Sequence, residues 1–188
     1  CSFTVTVGFA ASNIYTWTGA LNSQWSNNQN WIPCGKPGLG DSAIIPAAGN
    51  NPISSSNDSI GTLIVQAGGN LTISDSFFVA STLNNSGTLN HTGANVIQIG
   101  GDFNNAGTFL TGAPVVFTGS GQQNLSGNFT GTNALGTVLI LNPDSLVLGD
   151  DVQLNLLILA GGLLDLNGNE LEIMNNSPAS INLISGYI

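Results

Sequence analysis

Leu83-Asn84-Asn85-Ser86-Gly87-Thr88-Leu89 returns 20 residues later as Phe103-Asn104-Asn105-Ala106-Gly107-Thr108-Phe109. A fainter third copy, Gln123-Asn124-Leu125-Ser126-Gly127-Asn128-Phe129, keeps the same offset. A constant offset of this length marks structural units that stack on one another. Short apolar runs lie around these copies, among them Leu63-Ile64-Val65, Leu71-Thr72-Ile73, Val96 to Ile99, Val115-Val116-Phe117 and Val138 to Leu141. More follow, including Leu146-Val147-Leu148, Leu154 to Leu159, Leu163 to Leu166, Leu171-Glu172-Ile173 and Ile181 to Ile184. Each is too short for a helix and rich in branched residues, and Gly, Asn and Asp separate them, supplying the backbone freedom that tight corners need.

A strand of three to five residues buries its apolar face only against a similar strand from the next coil, at about 4.8 Å. The sequence therefore predicts an all-β chain whose larger part is a parallel β-solenoid, or β-helix. Residues 59–188 provide about six coils and a rod of roughly 30 Å. Asn85 and Asn105, at matched positions, are expected to stack amide on amide, as in cross-β ladders. Residues 1–58 read as a separate N-terminal cap, since they hold all three Trp, both Cys and the lone Lys. The boundary is expected in the Ser54-Ser55-Ser56-Asn57-Asp58 run. Phe3-Thr4-Val5-Thr6-Val7 alternates with period two and reads as a strand, with Phe3, Val5 and Val7 as an assembly edge. No C-terminal cap is visible in the sequence.

Charged residues are only 6% of the chain, and the net charge is −9 with Lys36 as the single cation. A chain so poor in cations has nothing with which to neutralise a phosphate backbone, which excludes nucleic acid and anionic membrane surfaces as partners. No apolar run approaches the ~20 residues of a membrane-spanning helix, so membrane insertion is not expected. Solubility resting on Asn, Ser, Thr and Gly points to an exported, extracellular protein. Cys1 and Cys34 fit an oxidising compartment and a single disulfide, although separate thiols or an acylated Cys1 are alternatives.

The order Trp17-Thr18-Gly19, Trp25, Asn30-Trp31, Pro37, Asp41-Ser42-Ala43-Ile44-Ile45-Pro46, followed by G-x-L-x-I and N-x-G-T coils, resembles large secreted, adhesin-like β-helical repeat proteins of Bacteroidetes, many of them type IX secretion cargo. The resemblance covers nearly the whole chain. It implies a right-handed parallel β-helix at the cell surface. The C-terminal sorting domain of such proteins is not recognisable in this sequence.

The chemical inventory is sparse. His91 is the only histidine, beside a predicted turn, and is expected to face solvent rather than serve as a base. Zinc-type sites need more Cys and His than are present. Gly149-Asp150-Asp151 offers paired carboxylates of the kind used by β-helical glycoside hydrolases, but neighbouring strand residues point to opposite faces, so a corner is the better reading. Asp102, Asp144, Asp150, Asp151 and Asp165 are corner residues that could hold Ca²⁺ through oxygen ligands, but no calcium-binding repeat accompanies them. Thr72, Thr88 and Thr108 are too irregular for a flat threonine array. Trp17, Trp25 and Trp31 are either an aromatic platform for glycans or the core of the cap, and the core is favoured. Asn57, Asn70, Asn84 and Asn124 head Asn-x-Ser/Thr triplets that a chain this rich in Asn contains by chance.

The expected role is that of a structural or adhesive surface protein, not an enzyme. It would associate with itself, in a filament or layer, or with other surface components. A carbohydrate-binding module or a β-helical polysaccharide-active enzyme is the alternative.

Overall fold

The computed structural model describes residues 12–188, which form an all-β solenoid of parallel strands with three short 3₁₀ turns. Each coil is a triangle of three short strands, and each side of the triangle stacks into its own parallel face. Face A runs through Ser42–Ile45, Thr62–Val65, Leu83–Asn85, Phe103–Asn105, Gln123–Gly127 and Ser145–Leu148. Face B carries Ile53–Ser54, Asn70–Ile73, Thr88–His91 and Thr108–Thr111. Face C carries Asp58–Ile60, Phe77–Val79, Ile97–Ile99, Val115–Phe117 and Leu135–Ile140. The long strand Val152–Asp165 then turns two corners within one element. It pairs with Leu171–Ile173, with Ile181–Tyr187 and, through Leu163 to Asp165, with face A.

Strands this short survive because alternate residues point inward and meet a partner in the coils above and below. Leu63, Leu83 and Phe103 form one such column in steps of 20 residues, as the repeat predicts. Ile97, Val115 and Val138 form another on face C. All six are buried, and Phe103, Phe109 and Phe129 close the centre with edge-to-face contacts at 5.1 and 4.9 Å. The N-x-G-T corner also has a steric reason. A Cβ on Gly107 would lie 2.2 Å from the carbonyl oxygen of Gly87, and one on Gly87 would lie 2.3 Å from that of Gly69. Successive corners are so close that only glycine fits.

Seven coils are present, one more than the count from residue 59. Ser42–Ile45, Ile53–Ser54 and Asp58–Ile60 already make a complete first coil, so the stack runs on through the polar 54–58 segment. Above it, Ile14–Trp17 pairs parallel to Ser42–Ile45 and antiparallel to Trp31–Ile32.

The third sequence copy stacks out of the expected register. Phe103 faces Leu125 and Asn105 faces Gly127, a step of 22 residues. The next step, Leu125 to Leu148, is 23. The surplus is taken up on face B, where the 3₁₀ turn Gly131–Asn133 replaces a strand between the bridge Phe129↔Val152 and the pair Leu135↔Leu154. Asn133 stands in for the missing ladder, accepting from Phe109 N at 2.9 Å and donating to the Gly107 carbonyl at 3.2 Å.

Candidate functional site

Polar side chains enter the solenoid interior only where the backbone can satisfy them. Asn85 and Asn105 are 1% and 0% exposed and form the expected rung, Asn85 Nδ2 donating to Asn105 Oδ1 at 2.7 Å. Asn105 Nδ2 passes the chain of bonds to the Asn128 carbonyl, also at 2.7 Å. Asn124 is not the next rung, because of the changed register. A second amide pair occupies the corner between faces C and A: Asn142 Nδ2 donates to Gln123 Oε1 at 2.9 Å, and Gln123 Nε2 donates to the carbonyls of Ile99 and Gly101. Such bonds rigidify a core when every member is satisfied.

His91 does not face solvent. It is 2% exposed, on the inner side of face B in the column of Ile73 and Thr111. Nε2 lies 3.1 Å from the Asp75 carbonyl oxygen, which requires this nitrogen to carry the proton and donate. Nδ1 lies 3.3 Å from Thr111 Oγ1. Burial holds its pKa below the usual histidine value of 6.5, and the bond to the Asp75 carbonyl offsets part of that.

Trp17, Trp25 and Trp31 are each 1% exposed, so no indole face is open to a sugar ring. They stack edge-to-face, Trp31 against Trp17 at 5.0 Å and against Trp25 at 4.7 Å, and Trp25 continues onto Phe77 of the second coil at 5.5 Å. Trp17 Nε1 donates to Asn50 O and Trp31 Nε1 to Trp25 O. The three indoles close the N-terminal end of the solenoid core.

The acidic corner residues are tied to neighbouring backbone. Asp150 Oδ2 accepts from Gly127 N at 2.6 Å, Asp151 Oδ1 from Glu170 N at 2.8 Å, Asp102 Oδ1 from Asn124 N at 2.8 Å, and Asp165 Oδ1 from Asn167 N at 2.8 Å. Asp150 and Asp151 thus reach in opposite directions along the stack, one to the coil before and one to the coil after. Among the described residues no three of His, Cys, Asp and Glu gather where they could hold a metal, Asp102, Asp144, Asp150, Asp151 and Asp165 included. Thr88 and Thr108 are in register, whereas Thr72 faces Asn90.

One cluster was not legible in the sequence. Asp58 occupies an inward position of face C, in the column of Phe77 and Ile97, with its side chain 1% exposed. Its Oδ2 accepts from Ser54 Oγ at 2.6 Å and from Ser56 Oγ at 3.3 Å. Lys36 reaches down from the loop after Trp31–Ile32 and contacts Oδ1 directly. An open depression of about 370 Å³, flanked by Ser59, Ser76, Phe78 and Gln98, reaches Asp58 from outside. The only cation of the chain is therefore committed to a buried carboxylate between cap and first coil.

Cys34 is exposed on that same loop. Cys1 and the Phe3, Val5 and Val7 strand lie outside the described residues. No helix among the described residues is long and apolar enough to cross a membrane.

A family model described as a domain of unknown function (DUF8693) matches residues 16–111, just over half of the chain. That span takes in the tryptophan cap, Lys36, Asp58 and the amide rung. No curated protein and no solved structure matches the chain.

Proposed function

The chain belongs to the DUF8693 family, and we propose that it is an extracellular structural or adhesive element, a stiff rod displayed at the cell surface and resembling the adhesin-like β-helical proteins of Bacteroidetes. The observation that carries this reading is where the reactive side chains are spent. The single histidine, the single lysine and the corner carboxylates are all engaged in holding one coil to the next. The outward positions of the shaft are mainly amides and hydroxyls, such as Asn84, Asn104, Thr88 and Thr108, which suit solvation and adhesion without charge. With this location goes a Cys1–Cys34 disulfide, which tethers the segment before the cap to the loop that carries Lys36.

In its self-assembling form the reading uses the last coil. Ile181 and Leu183 are in register with the buried Leu157 and Leu159, yet are 47% and 56% exposed, so their faces are free to take a further layer. The alternating Phe3 to Val7 strand is the complementary edge on another copy.

The test is deletion of the coils from residue 120 onward in cells producing the protein, with surface exposure monitored by protease accessibility in intact cells. Loss of attachment or of the surface structure is expected. Unchanged attachment with the truncated protein on the surface overturns the proposal. For the self-assembling form, removal of residues 1–8 abolishes filaments in negative-stain images, and a strictly monomeric wild type under native conditions contradicts it.

A further inference from the structure

We propose that Lys36 and Asp58 form an intramolecular isopeptide bond, a covalent amide staple between the cap loop and the first coil of the solenoid. The inference stands apart from any surface role, because it rests on the chemistry of this one cluster.

The placement of the two groups is unusual on three counts. Lys36 is the only lysine or arginine in 188 residues, and a chain that makes its surface without cations spends this one on a buried carboxylate. Asp58 sits at a core position, where an ionised carboxylate is costly unless fully paired. The carboxyl group is also held asymmetrically. Oδ2 takes two serine hydroxyls, from Ser54 and Ser56, whereas Oδ1 has no hydrogen-bond donor other than the ammonium that contacts it. Ser54 is itself 0% exposed, which fixes its hydroxyl on the carboxyl.

This is an arrangement for condensation. Proton transfer within the contact, from the Lys36 ammonium to the Asp58 carboxylate, gives an amine and a carboxylic acid. Nζ then attacks Cγ, forming the C–N bond, and the negative charge that develops on Oδ2 is met by the hydroxyls of Ser54 and Ser56. A proton passes from nitrogen to Oδ1, the Cγ–Oδ1 bond breaks, and Oδ1 leaves as water through the depression that reaches Asp58. One amine and one acid become one amide and one water, with no oxidant or other reactant. The contact holds the two groups together as an intramolecular pair, which supplies the orientation the step needs. The product replaces two charges by a neutral amide at a site that disfavours charge.

The experiment is intact-mass spectrometry of the purified, reduced and denatured full chain, with Lys36→Arg as control. The wild type is expected to be lighter than its sequence mass by one water, and a non-tryptic digest is expected to give a branched peptide joining the Lys36 and Asp58 segments. The control is expected at its full sequence mass. Because the readout is covalent and made on the wild type, poor folding of a variant does not obscure it. A wild type at full sequence mass, with Lys36 acylated by an amine-directed reagent after denaturation, overturns the proposal.

Discussion

Replacing Asn105 by alanine probes the interior amide rung, the feature that ties the sequence repeat to the stack. The side chain is 0% exposed, accepts from Asn85 Nδ2 and donates to the Asn128 carbonyl, both at 2.7 Å. Truncation removes two hydrogen bonds, each worth about 1 kcal/mol net. It also leaves the Asn128 carbonyl without that donor, at roughly 1–3 kcal/mol if water does not reach it. Asn85 is partly protected, because its Nδ2 keeps a second acceptor in Thr108 O at 2.9 Å. The expected loss is about 2–4 kcal/mol, or a fall in Tm on the order of 10 °C for a chain of this size. Asn104, the adjacent residue, points outward and is exposed, so Asn104→Ala serves as the matched control and is expected to stay within about 0.5 kcal/mol of wild type. Urea and thermal unfolding followed by circular dichroism read both variants. Equal stabilities for Asn104→Ala and Asn105→Ala would refute the reasoning, since interior and exterior positions would then be indistinguishable.

Two further predictions test the corners and the buried histidine. Gly107→Ala pushes a methyl group to 2.2 Å from the Gly87 carbonyl oxygen and is expected to cost about 1–3 kcal/mol in a urea titration, whereas Gly112→Ala, with nothing within 4 Å, is expected to be neutral. His91 has a folded-state pKa below its unfolded value of 6.5, so the unfolded chain binds the extra proton. Its contribution is therefore complete above pH 6.5 and is lost as the pH falls through the lower folded value. Unfolding free energies from pH 7.5 to 5 are expected to decline in wild type and to flatten in His91→Gln, and parallel curves would contradict the assignment.

The sequence made the stacking legible because two corner signatures, at Asn85 and Asn105, must coincide in space for glycine and amide to do their work at every turn. It misled at the third copy, where Gln123 to Phe129 imitates the repeat in letters. Register there follows the inward column Phe103 to Leu125, and only the Gly131–Asn133 turn, invisible as a strand or a repeat, absorbs the extra residues. His91 was recoverable. With Leu89 inward, period two also turns His91 inward, and its polarity is satisfied by the Asp75 carbonyl and Thr111. The 54–58 run looks like a linker because Ser and Asp are usually solvated. Ser54 and Asp58 are buried only because Lys36, distant in sequence, descends onto them, and no local pattern encodes that meeting. The tryptophans were better read, since large aromatics in a chain with few other bulky apolar groups near the cap belong to its core.

The most direct test of the stacked coils is a set of distances along one outer column. Ile44, Ile64, Asn84, Asn104 and Ser126 are successive register partners on face A, one per coil. Spin labels at position 44 paired with labels at 84, 104 or 126 are expected to give electron–electron distances that grow by about 4.8 Å for each added coil, reaching a backbone separation of roughly 19 Å for the 44/126 pair. Distances that fail to increase in that order, or that jump by the ~10 Å of a sheet-to-sheet spacing, would contradict the solenoid and the account built on it.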